Sequence, residues 1–152
     1  MSGLAVIYRR QVGKDWIDDH GRMAPFAFNL AFSRATDDFF ALHGLTPAYR
    51  DETLCTIYTL EARTTFLEDC HEGDGIHVDC QLVDLDPKRT HVVLTMYRDD
   101  TGEAVARQEA LIMHMRRDPG AVPVGAPFPE AMFAGLSATL LAHRSSGVAS
   151  SR

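Results

Sequence analysis

The segment "WIDDHGRMAPF", from Trp16 to Phe26, gathers acids, a histidine, an arginine, a glycine and a proline immediately before a strongly apolar segment. Asp18 lies in this segment just ahead of the start of a predicted helix. A carboxylate in that place can attack an electrophilic carbon or deprotonate a water molecule, while the helix amides polarise an oxygen. An aspartate near a helix start also commonly caps the helix or braces the loop. Both interpretations of Asp18 stay open.

Glu61 is a second candidate carboxylate, within the strand-like segment "CTIYTLEARTTFL" (Cys55 to Leu67). A glutamate that is buried and unpaired in such a strand can hold a proton near neutral pH, as a general acid or base requires. The alternatives are an ion pair between Glu61 and Arg63, or a solvated sheet face. On the residues alone, these interpretations of Glu61 stay open.

One predicted helix follows the loop that carries Asp18. Apolar residues recur at spacings of three and four between Pro25 and Gly44, and they would form one helical face of Phe28, Ala31, Phe32, Ala35, Phe39 and Leu42. Pro25 suits the first turn of a helix, and Gly44 suits the position just past its end. Further apolar residues lie off this face, so we expect the rest of the fold to wrap the helix.

Strand patterns surround this helix. They cover Leu4–Val12, Cys55–Leu67, Ile76–Asp84, Thr90–Asp99 and Ala104–Met115, and the alternation after Ile76 is typical of a half-buried antiparallel strand. A second helix is predicted over Glu130–Arg144, with Met132, Phe133, Leu136, Leu140 and Leu141 turned inward. The order predicts an α+β fold in which an antiparallel five-stranded sheet wraps a central helix. We expect a single domain over residues 1–145 and a flexible tail over 146–152.

Composition excludes several classes of function. With 152 residues, 45% of them hydrophobic, the chain has the size of one domain with a sizeable core. A formal net charge of −6 and the lack of a basic cluster argue against a nucleic-acid-binding face. The longest apolar run, Pro25 to Leu45, contains charged residues that a membrane-spanning helix would rarely tolerate. We therefore expect no nucleic-acid partner and no membrane partner.

The three cysteines, Cys55, Cys70 and Cys80, are odd in number and lack metal-ligand spacing. The chain also starts without a signal-peptide pattern. These features favour free thiols and a cytoplasmic location. The histidines, too, lack metal-ligand spacing to a carboxylate or a cysteine, so we expect no metal.

Two segments carry a family resemblance. "DWIDDHGRMAPFAFNLAFSRATDDFFALHGL" resembles the start of hotdog-fold acyl-CoA thioesterases of the 4-hydroxybenzoyl-CoA thioesterase-like group, whose loop reads W-x-D-x-N-G-H-M-N before the central helix. "YTLEARTTFLEDCHEGDGIHVDCQLVDLDPKRTHVVLTMY" is similar to betainyl-CoA thioesterases of carnitine breakdown, with their Y-T-L-E-x-H strand and D-x-K-R-x-H turn. Together the two segments span about Val12 to Met115. The order of the motifs is specific, whereas each motif alone is weak.

The resemblance implies the hotdog fold and hydrolysis of a small acyl-CoA, with betainyl-CoA a candidate, to the free acid and CoA. Asp18 stands three residues before Gly21, at the position of the family's catalytic aspartate. Glu61 matches the glutamate of Y-T-L-E, and this match favours a catalytic role for Glu61 as well. The matching Trp16, Gly21, Met23 and Tyr58 imply substrate contacts, and we assign the same role to His20, which lies in the same loop. Core packing is the alternative for the aromatic residues.

This chain also departs from the family pattern. Where the family loop has Asn, His and Asn, it has His20, Arg22 and Ala24, and Arg63 replaces the histidine that closes the Y-T-L-E-x-H strand. These changes alter polar contacts to the acyl group. A quaternary ammonium could still be held over the aromatic faces of Trp16, Tyr49 or Tyr58.

Lys88 and Arg89, in a turn between two predicted strands, suit charge-assisted hydrogen bonds to the phosphates of CoA. A solvated basic turn is the alternative. CoA would be part of the substrate, and no further cofactor is expected.

The resemblance further implies a homodimer or a homotetramer, because related proteins form their active site between subunits. Two other functions stay open. One is a hotdog module that binds acyl-CoA without hydrolysing it, which the two candidate carboxylates disfavour. The other is a hotdog hydratase, in which Asp is paired with a His a few residues on. His20 is too close to Asp18 for that spacing.

Overall fold

The computed structural model describes residues 4–145, in which three α-helices and six strands follow one another. The helices are α1 (Pro25–Ala41), α2 (Pro47–Thr53) and α3 (Glu130–Ser145). The strands are β1 (Val6–Gln11), β2 (Cys55–Phe66), β3 (Gly75–Leu85), β4 (Arg89–Arg98), β5 (Ala104–Arg116) and β6 (Val124–Gly125). The tail predicted over 146–152 lies outside the described residues.

The strands form one sheet in the order β1-β3-β4-β5-β2, with β6 paired to β5. β1 runs antiparallel to β3, with Val6 opposite Asp79 and a register shift before Tyr8. All five predicted strands are present, but the expected number is wrong because β6 adds a sixth. A strand of two residues is too short for its alternation to be recognised in the sequence.

The described chain divides into two compact units. The first comprises residues 4–39, 63–80 and 93–109, and the second comprises residues 40–62, 81–92 and 110–145. Each unit has its own buried apolar residues. Phe32, Ile76 and Leu94 are fully buried in the first, and Ile112 and Leu136 in the second. The prediction of a single domain stays a prediction.

α1 buries the predicted stripe over most of its length. Ala31, Phe32 and Ala35 are fully buried, as the 3.6-residue period requires. Leu42 is an exception. The helix ends at Ala41 rather than just before Gly44, so Leu42 leaves the stripe and is 74% exposed.

β3 and α3 each depart from the expected burial in one respect. From Val78 to Leu82, β3 is buried on both faces rather than half-buried. On α3, Met132 and Leu136 are buried as expected, whereas Leu141 is 67% exposed.

α2 is a short helix that the sequence analysis missed. Its N-cap is Thr46, whose side chain accepts a hydrogen bond from the Tyr49 N–H at 3.2 Å, and Pro47 occupies the first turn. Both signals are present in the sequence. The helix spans only seven residues, too few for an apolar period to stand out.

Within residues 4–145, no helix combines the length and the apolar composition needed to cross a membrane.

Candidate active site

The loop between β1 and α1 is a tight hairpin with Asp18 at its tip. Ile17 and Met23 form an isolated antiparallel bridge. Beyond that bridge, the Asp18 N–H donates to the Arg22 carbonyl at 2.8 Å, and the Gly21 N–H donates to the Asp18 carbonyl at 3.1 Å. Gly21 has a φ of +81°, which strains any residue with a side chain. The glycine therefore permits the turn that presents Asp18.

Two backbone amides hold one oxygen of the Asp18 carboxylate. Oδ1 accepts hydrogen bonds from the His20 N–H at 2.8 Å and from the Arg22 N–H at 3.2 Å. These bonds favour the ionised form, and the one from His20 contributes most to holding the pKa of Asp18 below its ordinary value of 3.8. Among residues 4–145, no group hydrogen-bonds to Oδ2. The half-buried carboxylate thus braces the loop with one oxygen and presents the other.

Two backbone hydrogen bonds and a cation–π contact anchor the hairpin. Ala24 donates its N–H to the Trp16 carbonyl at 2.8 Å, and Met23 donates to the Cys70 carbonyl at 2.7 Å. The Trp16 and Met23 side chains are 2% and 4% exposed. The Arg10 guanidinium also lies 3.9 Å from the centre of the Trp16 ring. The Trp16 and Met23 side chains are therefore buried at the base of the hairpin.

Five of the predicted site residues lie in this single hairpin. Asp18 is half-buried, and His20 and Gly21 are exposed at the tip, whereas Trp16 and Met23 support the tip from the core. A ligand that approaches the hairpin meets Asp18 and the two tip residues first.

The first turn of α1 leaves one amide available. Ala27 and Phe28 both donate to the Ala24 carbonyl, at 2.9 and 3.4 Å, and Pro25 has no N–H. The Phe26 N–H donates to no carbonyl among the described residues. In this turn, the Phe26 N–H is therefore the group left to polarise a substrate oxygen, as expected for the helix start.

Glu61 is exposed, which agrees with the solvated sheet face and not with a buried glutamate. It lies in the second compact unit, on β2, where residues 59–63 are exposed along the strand. The physical reason is that β2 ends the sheet order and pairs only with β5. The alternative of a Glu61–Arg63 ion pair is also wrong, because Arg63 donates to Glu109 at 3.0 Å. The Glu61 side chain has no hydrogen bond or ion pair with any residue from 4 to 145.

The two tyrosines of the predicted aromatic contact belong to the second unit. Tyr58 is half-buried on β2. The hydroxyl of Tyr49 is engaged by His114 Nε2 at 2.7 Å. His114 itself is 1% exposed, and its Nδ1 lies 2.9 Å from the Ala126 carbonyl oxygen. Tyr49 therefore belongs to a buried polar chain rather than to an open surface.

Lys88 and Arg89 lie exposed in the turn from β3 to β4, which Asp86 organises. Asp86 Oδ1 accepts the backbone N–H groups of Lys88 and Arg89 at 2.9 and 2.8 Å. Its Oδ2 accepts Arg89 Nε at 2.8 Å. Arg89 also lines a cavity of about 240 Å³ together with Thr90 and His91. The remaining guanidinium nitrogens of Arg89 can still donate to an anion.

A polar cluster in the first unit was not foreseen. Asn29 on α1, Thr64 on β2 and Gln108 on β5 are joined by three hydrogen bonds of 2.7 to 3.3 Å. Its only sequence signal is that Asn29 interrupts an otherwise apolar helix. Residues this far apart in sequence cannot be paired from local patterns.

Among residues 4–145, no three His, Cys, Asp or Glu side chains are grouped in a way that could hold a metal ion. The expectation of no metal stays a prediction.

Comparison with known proteins identifies the family. The sequence profile of the thioesterase-like superfamily matches residues 12–136. A betainyl-CoA thioesterase from Pseudomonas aeruginosa is 33% identical over 144 residues, which are 95% of this chain and 89% of that protein. An L-carnitine dehydrogenase/betainyl-CoA thioesterase from Rhizobium sp. is 31% identical over 88% of this chain, which spans 26% of that longer protein.

A solved structure agrees with these sequence matches. A hypothetical protein from Staphylococcus aureus, determined in complex with CoA, superposes with a TM-score of 0.81 and 27% identity over 92% of this chain and 86% of that one. The predicted hotdog fold and the predicted class of enzyme, a thioester hydrolase acting as an acyl-CoA thioesterase, are confirmed by these comparisons. The chain belongs to the thioesterase-like superfamily.

Proposed function

We propose that this protein hydrolyses a small acyl-CoA to the free acid and CoA, with Asp18 as the reacting carboxylate. The observation that carries the proposal is the geometry of Asp18. Two amides fix Oδ1, whereas Oδ2 is uncommitted at the tip of a hairpin that leads directly into α1. A carboxylate with a lowered pKa is ionised at neutral pH and is ready to react.

Two routes are chemically complete. In the first, Oδ2 attacks the thioester carbon, the C–S bond breaks, and CoA leaves as a thiolate. Water then hydrolyses the acyl-aspartyl anhydride and restores the carboxylate. In the second, Asp18 takes a proton from a water molecule whose oxygen attacks the same carbon, and the proton passes to the departing sulfur. Mass spectrometry of enzyme that is quenched during turnover distinguishes the routes, because only the first route acylates Asp18.

In the second unit, Lys88 and Arg89 are proposed as a phosphate-binding pair. Asp86 fixes the turn and one guanidinium nitrogen of Arg89, and the remaining nitrogens can donate to a phosphate. The Staphylococcus aureus relative was determined in complex with CoA, which supports a CoA ester as the ligand. We propose that hydrolysis needs no cofactor beyond the CoA of the substrate.

Betainyl-CoA is the acyl-CoA to test first, because two relatives carry that activity in their names. Three loop positions differ from the family pattern, with His20, Arg22 and Ala24 in place of Asn, His and Asn. The aromatic faces expected to hold a quaternary ammonium are also restricted, since Arg10 covers Trp16 and His114 engages Tyr49. These differences favour another small acyl group.

We also propose a homodimer, with a homotetramer as the alternative. β2 ends the sheet order, and along it and just after it Leu60, Phe66 and Leu67 are 50%, 48% and 51% exposed. An exposed apolar edge strand of twelve residues is an aggregation hazard unless a second chain covers it.

The three buried cysteines are free thiols, which suits the reducing cytoplasm.

The test is a thiol-release assay with purified protein and a panel of CoA esters that includes betainyl-CoA, acetyl-CoA and aromatic acyl-CoAs. We expect turnover of at least one ester, and its loss in Asp18→Asn. Binding of CoA esters without release of thiol from any of them would instead identify a non-catalytic acyl-CoA-binding module.

A further inference from the structure

The cluster of Asn29, Thr64 and Gln108 fixes the orientation of one exposed amide. Asn29 Oδ1 accepts from Thr64 Oγ1 at 2.7 Å and from Gln108 Nε2 at 3.3 Å. Gln108 Nε2 also donates to Thr64 Oγ1 at 3.0 Å, and the Gln108 side chain is 8% exposed. The donors that point at Asn29 are thus themselves held in place on β2 and β5.

This arrangement uses only half of the Asn29 amide. Both hydrogen bonds end on Oδ1, and among the described residues no acceptor bonds to Nδ2. Asn29 is exposed, so the two N–H donors of Nδ2 are available to a ligand. A ligand atom that meets them must be an acceptor, such as a carbonyl oxygen.

Asn29 also lies next to the start of α1. It is three residues after Phe26, on the neighbouring turn of the same helix face. Helical side chains lean toward the N-terminus of their helix, so the Asn29 amide covers the turn that contains Phe26. The Phe26 N–H and Asn29 Nδ2 thus belong to adjacent turns of α1 in the first unit, the unit that also contains Asp18.

We infer that Asn29 Nδ2 donates a hydrogen bond to the carbonyl oxygen of the bound thioester and stabilises the negative charge that this oxygen gains in the transition state. Thr64 and Gln108 are positioning residues that hold the amide in the donating orientation. The inference rests on the proposed thioesterase function and adds a side-chain oxyanion donor to it. Donors placed in this way contribute to kcat more than to binding.

The test compares Asn29→Asp and Asn29→Ala with the matched control Ser33→Ala, an exposed residue one turn further along α1. Asn29→Asp keeps an acceptor oxygen for Thr64 and Gln108 but has no donor. We expect kcat to fall by about a hundredfold or more in both Asn29 variants, with KM little changed. The Tm of Asn29→Asp should stay close to that of the wild type. Thr64→Val, which removes one of the two fixing bonds, should lower kcat less.

A second readout does not depend on turnover. Acetyl-CoA with a ¹³C-labelled carbonyl is bound to the Asp18→Asn protein, and its carbonyl stretch is recorded by infrared difference spectroscopy. We expect the stretch to move to higher frequency when Asn29→Ala is added, because a donor is lost, and not when Ser33→Ala is added.

Two results would overturn the role of Asn29. One is a kcat within about twofold of wild type in Asn29→Ala, with a lowered Tm, as expected for a purely structural contact. The other is a carbonyl frequency that does not respond to Asn29→Ala. A protein that binds CoA esters and hydrolyses none of them refutes the thioesterase proposal instead, and the carbonyl frequency still decides the role of Asn29.

Discussion

At the scale of single residues, the two oxygens of the Asp18 carboxylate have different surroundings. Oδ1 is occupied by two backbone amides, while Oδ2 has no partner among residues 4–145. The bracing that the sequence analysis weighed as an alternative is present, and it leaves an oxygen for chemistry. Bracing and reaction are therefore compatible in one side chain.

Asp18→Asn separates these two roles. The amide oxygen of Asn can still accept the N–H groups of His20 and Arg22, so we expect the hairpin and the fold to persist. Turnover should fall by about a hundredfold or more, because an amide neither attacks a thioester nor takes a proton from water. Steady-state kinetics and Tm are measured on the same preparation. Turnover near the wild-type rate would show that Asp18 only braces the loop.

Glu61→Gln tests the second carboxylate. Because Glu61 is exposed and unpaired within the described residues, we expect the unfolding free energy to change by no more than about 0.5 kcal/mol. Turnover should also stay near the wild-type level. A large fall in kcat with an unchanged Tm would contradict this and would make Glu61 part of a site completed by a second subunit.

At the scale of elements, His114 connects three segments of the second unit. Its Nδ1 must carry the proton, since the Ala126 carbonyl can only accept, so the neutral ring accepts the Tyr49 hydroxyl at Nε2. Phe128 packs against the ring at 5.1 Å between centroids. Through these contacts α2 and the segment around β6 are tied to β5, which explains why a seven-residue helix has a defined place.

This connection predicts a loss of stability in acid. Burial holds the pKa of His114 below its ordinary value of 6.5, and burial does the same for His143, whose Nδ1 accepts the Leu82 N–H. In each case the unfolded chain takes up the proton first. Their contribution is therefore complete above about pH 6.5 and is lost as the pH falls through the lowered pKa of the folded state. Between the pKa of the unfolded state and that of the folded state, each histidine changes the equilibrium constant of unfolding by up to about tenfold per pH unit.

Denaturant unfolding between pH 8 and pH 5 measures this loss of stability. His143→Gln should flatten the dependence of the unfolding free energy on pH. Tyr49→Phe leaves His114 Nε2 without a donor and should lower the unfolding free energy by about 1–3 kcal/mol at pH 8. A stability that does not depend on pH in this range would contradict the neutral state of both histidines.

At the scale of the whole molecule, β2 forms an exposed edge of the sheet. β2 pairs with β5 on one side and presents its other side without a partner strand among residues 4–145. Natural edge strands are usually short, charged or covered. β2 has twelve residues and exposed apolar side chains, and these features favour a second chain as its cover.

Sedimentation velocity at micromolar concentration should therefore show a dimer or a larger assembly. Leu60→Lys introduces a charge on β2 and should shift the protein toward the monomer. The matched control is Leu141→Lys, since Leu141 is also exposed but lies on α3, and it should leave the assembly unchanged. A wild-type monomer at these concentrations would refute the proposed assembly.

Local patterns in the sequence were sufficient to determine the order of the long elements and their bounds to within one to three residues. The apolar stripe of α1 and the alternating residues of β4 and β5 repeat with the period of their own backbone, so each is readable without its neighbours. The position of Asp18 at a glycine turn before a helix is likewise local. α2 and β6 escaped because seven and two residues carry too little of any period.

Only the tertiary structure decided which side chains meet. Arg63 pairs with Glu109 instead of Glu61, and Asn29 meets Thr64 and Gln108, across separations of 35 to 79 residues. The exposure of Glu61 likewise follows from the place of β2 at the end of the sheet order. Strand order and side-chain pairing arise when distant segments pack together, and the alternation of residues within one strand cannot tell an edge from a centre.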